Sequence, residues 1–325
     1  MKTIFDPTML SALSGADSFM VCTHVRPDGD AIGSLLAVGR LLKAMGKQVA
    51  LVSQDGVPEK YLNFFEDAKL VISPEQAQGV HFDVALAVDV ASAERMGSAL
   101  DIFSSVPVTM QIDHHAGNPG YALHNAVDAA ASATGEMIVQ LYDALDVAID
   151  PVAAAQLYAA ISTDSGNFTF NSVRAQTFAA MQRLMESGLD IADINCRLFK
   201  DRKKQQVQML SRALNTLTFF ADGQASYMFV TQADIQAVQA LPEHLNSIVN
   251  YGLDIEGVCI TFMGDELPGG GWKVSLRAVP GYDVSAIAAR FGGGGHKLAA
   301  GCTVHASFDE VRAAMMAAIE EQLRK

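Results

Sequence analysis

The run Thr23-His24-Val25-Arg26-Pro27-Asp28-Gly29-Asp30-Ala31-Ile32-Gly33-Ser34 packs one imidazole and two carboxylates into the end of an apolar stretch and the turn after it. That mixture of donors at that spacing suits a divalent metal ion. Residues 18–22 read as a short buried strand, and residues 31–45 carry helical apolar spacing with Gly33-Ser34 near the start. Donors at the carboxyl end of a strand are where open α/β sheets place their sites. The segment would also serve as a plain helix start, with Asp30 as N-cap and Pro27-Asp28-Gly29 as the turn, but then His24 has no task. Later strand ends repeat the theme. The nearly continuous apolar residues 82–88 run into Asp89, residues 106–112 run into Asp113-His114-His115, and helix-like residues 153–161 lead into 162–168 with Asp164 inside. His24, Asp28, Asp30, Asp89, His114 and Asp164 would thus gather at one rim, which is enough donors for two ions.

The elements that must position these groups follow from apolar periodicity. From about residue 19 to 160 strand and helix signals alternate, with strands expected at 48–53, 83–89 and 108–113. This pattern implies an α/β fold, mainly a parallel sheet with helices on both faces. Residues 174–187 read as the last helix of this metal domain, and residues 190–214 as a long charged helical connector after Gly188. Beyond it, strands are expected around 224–230, 254–264 and 272–279 and helices at 284–291 and 307–323, a second and smaller α/β domain. The division expected is 1–188, a linker at 189–214, and 215–325, with the site in the cleft between the domains.

Length and composition agree with two cores, because 325 residues at 50% hydrophobic exceed what one core usually organises. Cys22, Cys196, Cys259 and Cys302 are scattered without a CxxC pair, so neither a disulfide framework nor a zinc ribbon is expected and a reducing cytoplasm fits best. No window reaches the roughly 20 apolar residues that span a bilayer, and residues 1–19 lack a signal-peptide pattern. Against 36 acidic residues stand 23 basic ones, a net charge of −13 that disfavours long duplex nucleic acid. A local metal cluster can still hold a small anion. Arg277, His296 and Lys297 could form a cationic patch, and Arg202-Lys203-Lys204 either another or a solvated helix face.

The motifs resemble those of the DHH phosphoesterase superfamily, named for the triplet present as Asp113-His114-His115. The match extends to Arg290-Phe291-Gly292-Gly293-Gly294-Gly295-His296-Lys297-Leu298-Ala299-Ala300-Gly301, which is similar to the glycine-rich signature of the DHH-associated substrate domain and is preceded by Val274-Ser275-Leu276-Arg277. A chain of this length with both signatures resembles the nanoRNase (oligoribonuclease) and 3'-phosphoadenosine 5'-phosphate phosphatase group. The resemblance implies that His24, Asp28 and Asp89 hold one ion, that Asp30, Asp89, His114 and Asp164 hold the second, and that Asp89 bridges them. It also implies that His115 faces the scissile phosphate. Asp113 is expected to accept a hydrogen bond from a ligand imidazole and fix its tautomer.

Carboxylate mixed with imidazole, without thiolate, favours manganese, with magnesium or cobalt as alternatives. Two such ions can share a hydroxide and stabilise both oxygens of an in-line displacement at phosphorus. Thr163, Ser165 and Asn167 read as loop-shaping partners of Asp164. Ser275, Arg277, Gly292, Gly293, Gly294, Gly295 and His296 are the expected substrate contacts, a strand-borne guanidinium beside a backbone loop that glycine keeps open. The expected substrates are short single-stranded RNA of about two to five nucleotides and the bisphosphate of adenosine, measured by a two-domain calliper. Rival readings are a phosphodiesterase for linear or cyclic dinucleotides, a family II inorganic pyrophosphatase, and a non-enzymatic nucleotide sensor. A homodimer is the oligomeric expectation the family carries.

Overall fold

The first 200 residues wind around a parallel sheet whose strands are β1 (Ser18–Cys22), β2 (Gln48–Val52), β3 (Val71–Ile72), β4 (Val84–Val88), β5 (Val108–Asp113) and β6 (His124–Val127). The computed structural model describes residues 4–62, 64–200 and 202–324. Spatial order is β3-β2-β1-β4-β5-β6, so the chain leaves β1 to one side and returns for β4 on the other. A crevice forms at such a switch, between the carboxyl ends of β1 and β4.

Both faces of the sheet are covered, which explains why its central strands β1 and β4 are apolar almost without alternation, whereas β5 intersperses Thr109 and Gln111. Phe19 and Val21 of β1 point into one core with Leu86, Val88 and Ile112, whereas Met20 and Cys22 point into another with Ala85 and Ala87. The first core is closed by the helices Gly29–Ala44, Thr134–Ala144 and Pro151–Asp164. These pack very closely. A Cβ at Gly33 would collide with the Gln156 carbonyl, and one at Gly135 would lie 2.6 Å from the Ala160 Cβ. Glycine at those two points lets three helix ends converge beside the sheet, and two of them carry Asp30 and Asp164.

The second unit, residues 201–325, has its own sheet in the order β11-β12-β10-β9-β8-β7. Its strands are β7 (Thr218–Phe220), β8 (Ala225–Val230), β9 (Ile260–Glu266), β10 (Trp272–Ala278), β11 (Gly294–His296) and β12 (Ala299–Val304). Pairing is antiparallel except between β8 and β9. One face packs on the helices Val284–Arg290 and Phe308–Leu323 through Phe262, Val274, Leu276 and Met315. Met228 and Met263 pack the other face against Met209 and Ala213 of the helix Lys204–Asn215. No described helix is long and apolar enough to cross a membrane.

Several expected elements differ in detail. The helix after β1 begins at Gly29 rather than Ala31, and its N-cap is Asp28, whose side chain accepts from the Ala31 N–H at 3.1 Å, so Asp30 lies in the first turn. The expected connector of residues 190–214 is not one helix. Ile191–Asn195 runs into a wide turn at Cys196–Lys200, Ile194 of the first and Leu198 of the second bury in the first core, and a separate helix starts at Lys204. Residues 254–259 turn after the short helix Asn250–Leu253, so β9 begins at Ile260 rather than near 254. The glycine run is not wholly a loop, because Gly294–His296 forms an edge strand on β12.

Candidate metal centre and anion-binding face

Each candidate metal donor sits where a strand or helix ends. His24 follows β1 by two residues, Asp89 follows β4, and Asp113 ends β5 with His114 and His115 directly after it. Asp30 opens the first turn of the helix Gly29–Ala44, and Asp164 closes the helix Pro151–Asp164. Asp89 adopts a left-handed backbone, φ 59°, a conformation in which aspartate is among the few tolerated side chains and whose strain concentrates at functional positions.

The donors converge in overlapping trios. His24, Asp28 and Asp89 offer atoms within 4.8 Å of one another, as do Asp30, His114 and Asp164, and also Asp89, His114 and His115. Asp89 faces both sides, with Oδ2 3.6 Å from His24 Nε2 and Oδ1 3.7 Å from His114 Nε2. His114 Nε2 also lies 3.2 Å from Asp164 Oδ2 and 3.8 Å from Asp30 Oδ2. A single imidazole nitrogen therefore looks into three carboxylates.

Neutral partners aim these groups. His24 Nδ1 lies 2.8 Å from the Val25 carbonyl and His114 Nδ1 3.3 Å from the Ala131 carbonyl. With the proton on Nδ1 donated to each carbonyl, both Nε2 lone pairs face the carboxylates, the arrangement metal-binding histidines favour. An Arg95 guanidinium nitrogen sits 3.1 Å from His24 Nδ1. Since a donor cannot serve a protonated nitrogen, the carbonyl contact is the one compatible with a free Nε2. Asp30, 1% exposed, accepts from Thr134 N–H at 2.6 Å, Gly135 N–H at 2.9 Å and Ser34 Oγ at 2.9 Å. Thr134 Oγ1 donates to Asp89 Oδ1 at 3.0 Å.

The electrostatics call for cations. Burial, then the charges of Asp89, Asp164 and Asp28, holds the Asp30 carboxyl well above the usual carboxylate range. Burial also lifts Asp164 to about 6, with the repulsion of Asp89 and Asp28 opposing the pull of His114 and His115. Like carboxylates packed this way require either protons or a bound positive charge. Hard oxygen donors with two imidazoles fit a divalent ion of the manganese or magnesium type, and His24, Asp28, Asp30, Asp89, His114 and Asp164 are the residues that could hold it.

Asp113 departs from the expected role. It accepts from His115 Nδ1 at 2.8 Å and from Asn118 Nδ2 at 2.6 Å, whereas His114 turns to a backbone carbonyl. Spacing could not tell which of two adjacent imidazoles reaches back to the carboxylate. Burial alone would raise Asp113, but the bonds from His115 and Asn118 outweigh it and hold the carboxyl below its usual value. The same bond to Asp113 raises His115 against its partial burial, so this imidazole holds a proton more firmly than a free one. Of the loop partners, Asn167 Oδ1 accepts from Ser162 Oγ at 3.1 Å and Thr163 Oγ1 donates to the Ala159 carbonyl at 2.7 Å, which shapes the turn around Asp164.

In the second unit, strand register places Arg277, Ala299 and His296 side by side across β10, β12 and β11, with Ser275, Gly301 and Gly294 in the next row. Directly paired residues share a face, so Arg277 and His296 flank a floor of small residues. Arg277 is half-buried; its recorded hydrogen bond goes to the Leu276 carbonyl at 2.8 Å, and no carboxylate lies within ion-pair distance among the described residues. A half-buried guanidinium beside small residues suits an anion. Two of the four glycines have structural reasons of their own, since a Cβ at Gly293 would strike the Gly301 carbonyl and one at Gly295 would lie 2.6 Å from the Ala299 carbonyl. Gly292 and Gly294 have open space instead. Arg202, Lys203 and Lys204 are exposed, and Arg202 stacks over Tyr251.

The chain thus pairs a parallel unit, with carboxylates and imidazoles gathered at its switch point, with a mostly antiparallel unit after it. Residues 18–161 match the DHH family, N-terminal domain, and residues 228–325 match the DHHA1 domain, so the chain belongs to the DHH family. It is 29% identical to the bifunctional oligoribonuclease and PAP phosphatase NrnA of Thermus thermophilus over 98% of this chain and 93% of that one. The Mycoplasma pneumoniae protein of the same name is 27% identical over 93% and 92%. Among solved structures, an exopolyphosphatase-related protein from Bacteroides fragilis superposes with a TM-score of 0.87 at 23% identity, over 99% of this chain and 98% of that one.

Proposed function

We propose that this protein is a divalent-metal phosphoesterase that hydrolyses short oligoribonucleotides, about two to five nucleotides long, to mononucleotides, and 3'-phosphoadenosine 5'-phosphate to AMP. The observation that carries the proposal is the convergence of His24, Asp28, Asp30, Asp89, His114 and Asp164 at the sheet's switch point, with Asp89 turned to both sides. The names of the Thermus and Mycoplasma relatives supply the substrate class.

Ions held there, manganese in the first instance, would lower the pKa of bound water and neutralise charge on the phosphoryl oxygens. The chain's own residues do the rest. Asp89 offers one oxygen to each side of the cluster. His115, with Nδ1 bound to Asp113, keeps its second nitrogen free to place a proton against the negative charge that develops on the phosphate. Arg277, Ser275, Gly292, Gly294 and His296 form the face for a part of the substrate that is not cleaved. A net charge of −13 opposes extended polyanions and so favours small substrates.

The test is kcat/KM with Mn2+ for RNAs of about two, three, five and twenty-four nucleotides, for 3'-phosphoadenosine 5'-phosphate and for cyclic dinucleotides, at fixed salt. Efficiency should fall steeply beyond about five nucleotides. Equal efficiency on the longest strand, or turnover of cyclic dinucleotides alone, would refute the proposal.

A further inference from the structure

Three of the candidate ligands are aimed by one segment that is neither strand nor helix for most of its length. Between β6 and the helix Thr134–Ala144, the Ala131 carbonyl takes His114 Nδ1, the Thr134 and Gly135 N–H groups hold Asp30, and Thr134 Oγ1 holds Asp89. Its backbone is tied to itself by two short-range bonds, Ala131 N–H to the Asp128 carbonyl at 2.9 Å and Glu136 N–H to the Ala133 carbonyl at 3.2 Å. What braces it is Glu136, fully buried behind the site. One Glu136 oxygen accepts from Ser132 Oγ at 2.8 Å, Ser132 N–H at 3.2 Å and Thr177 Oγ1 at 2.8 Å. The other accepts from Arg174 Nη2 at 3.0 Å, and the same Nη2 reaches Asp128 Oδ2 at 2.7 Å. Arg174 thus fastens both ends of the segment, Asp128 and Glu136, from a different element, the N-cap of the helix Ala175–Met185.

We propose that Arg174 is a positioning residue for the metal centre: through Glu136 and Asp128 it fixes the segment that orients His114, Asp30 and Asp89. The inference rests on the cluster being the metal site of the proposed function. A buried Glu136 without its cation would be an uncompensated charge, and the segment would move to solvate it. Groups that orient metal ligands typically change affinity by about 10- to 100-fold when altered, although they never touch the ion.

Three roles for Arg174 separate by sign. Were Arg174 only a nearby positive charge, its removal would tighten cation binding. Were it only part of the scaffold, its removal would lower the melting temperature and leave affinity unchanged. A positioning role weakens affinity in protein that is still folded.

The experiment is Mn2+ titration calorimetry on the metal-free full-length chain, well below the melting temperature of each variant. Wild type, Arg174→Ala, Arg174→Lys and Thr177→Val are compared, and Arg174→Ala is repeated with added guanidinium ion. Affinity should fall by about 10-fold or more in Arg174→Ala and recover in part with guanidinium. Arg174→Lys should also weaken it, because lysine keeps the charge but cannot span two carboxylates as a planar fork does. Should Arg174→Ala not fold, Arg174→Lys and Thr177→Val, which removes one bond from Glu136, carry the test. Unchanged or tighter binding in folded variants overturns the brace while leaving the metal site standing. Absence of Mn2+ binding by wild type overturns both.

Discussion

Asp164→Asn should make the metal-free protein more stable while impairing its function. Asp164 sits among Asp30, Asp89 and Asp28 and is pushed up to about 6 from 3.8, by burial first. A carboxyl moved from 3.8 to about 6 corresponds to about 3 kcal/mol. Its side chain is 32% exposed, so solvent screening reduces this to about 1–2 kcal/mol of destabilisation, chiefly from burying the charge, at pH 7.5. Between pH 3.8 and 6 the unfolded chain has released this proton while the folded one keeps it. Stability therefore falls as pH rises through that window. His24 and His115, both raised, add the same sign around neutrality, since a raised imidazole stabilises below its unfolded pKa and loses that contribution as pH climbs through the folded one. Calorimetry in EDTA reads the effect. At about 2–4 °C per kcal/mol for a unit of this size, Asp164→Asn should raise the first unit's transition by roughly 2–8 °C at pH 7.5 and by little at pH 5, where Asp164 is already protonated. The chain's one tryptophan, Trp272, lies in the second unit, so its fluorescence separates that transition from the first. With Mn2+ the order should reverse, because wild type gains binding energy that the variant loses. A lower transition for Asp164→Asn at pH 7.5, or an equal rise at both pH values, would refute the reasoning.

Asp89→Ala should reduce turnover by about 10³-fold or more, because it withdraws an oxygen from both sides of the cluster; near-normal kcat with two ions still bound, measured by metal analysis, would contradict this. Arg277→Ala and His296→Ala should raise KM for short nucleotides while Mn2+ content stays at the wild-type level. Loss of metal with unchanged KM would remove the second unit's face from the site.

How far the sequence could be read depended on which physical signal each group leaves. The strands before His24 and Asp89 are nearly continuous apolar runs because both faces of the sheet are covered, and a polar or charged residue after such a run stands out, whereas β5, with Thr109 and Gln111 inside it, marks the Asp113-His114-His115 triplet less sharply. The glycine run hid β11, because glycine carries no alternation to mark an edge strand. The connector read as one helix because its polar periodicity continues across Cys196–Lys200, and only packing shows Leu198 turning into the first core. The orienting groups left the weakest trace. A backbone carbonyl such as that of Ala131 has no residue type to announce it, and Glu136 in the first turn of a helix looks like an ordinary surface acid although it is fully buried.

Charge is distributed so that the cluster stays unneutralised by the protein itself. Asp30 rests on backbone amides at a helix start and on a serine hydroxyl, Asp89 on a threonine, and the two imidazoles on carbonyls. Those partners fix geometry without bringing a full positive charge. Of the half-buried arginines, Arg174 is committed to Glu136 and Asp128 and Arg40 to Asp67 and Asp150, while the exposed Arg95 meets His24 at Nδ1 rather than at the Nε2 that faces the carboxylates. With Asp28, Asp30, Asp89 and Asp164 ionised and His24 and His114 neutral, the proposed set carries a charge of −4, which two divalent ions would balance to zero. An anionic phosphate then meets a site that does not repel it, although the protein around it is acidic. Without the ions the same set repels both the substrate and itself, which is why the stability of the metal-free chain and its activity should respond in opposite directions when one of these carboxylates is made neutral.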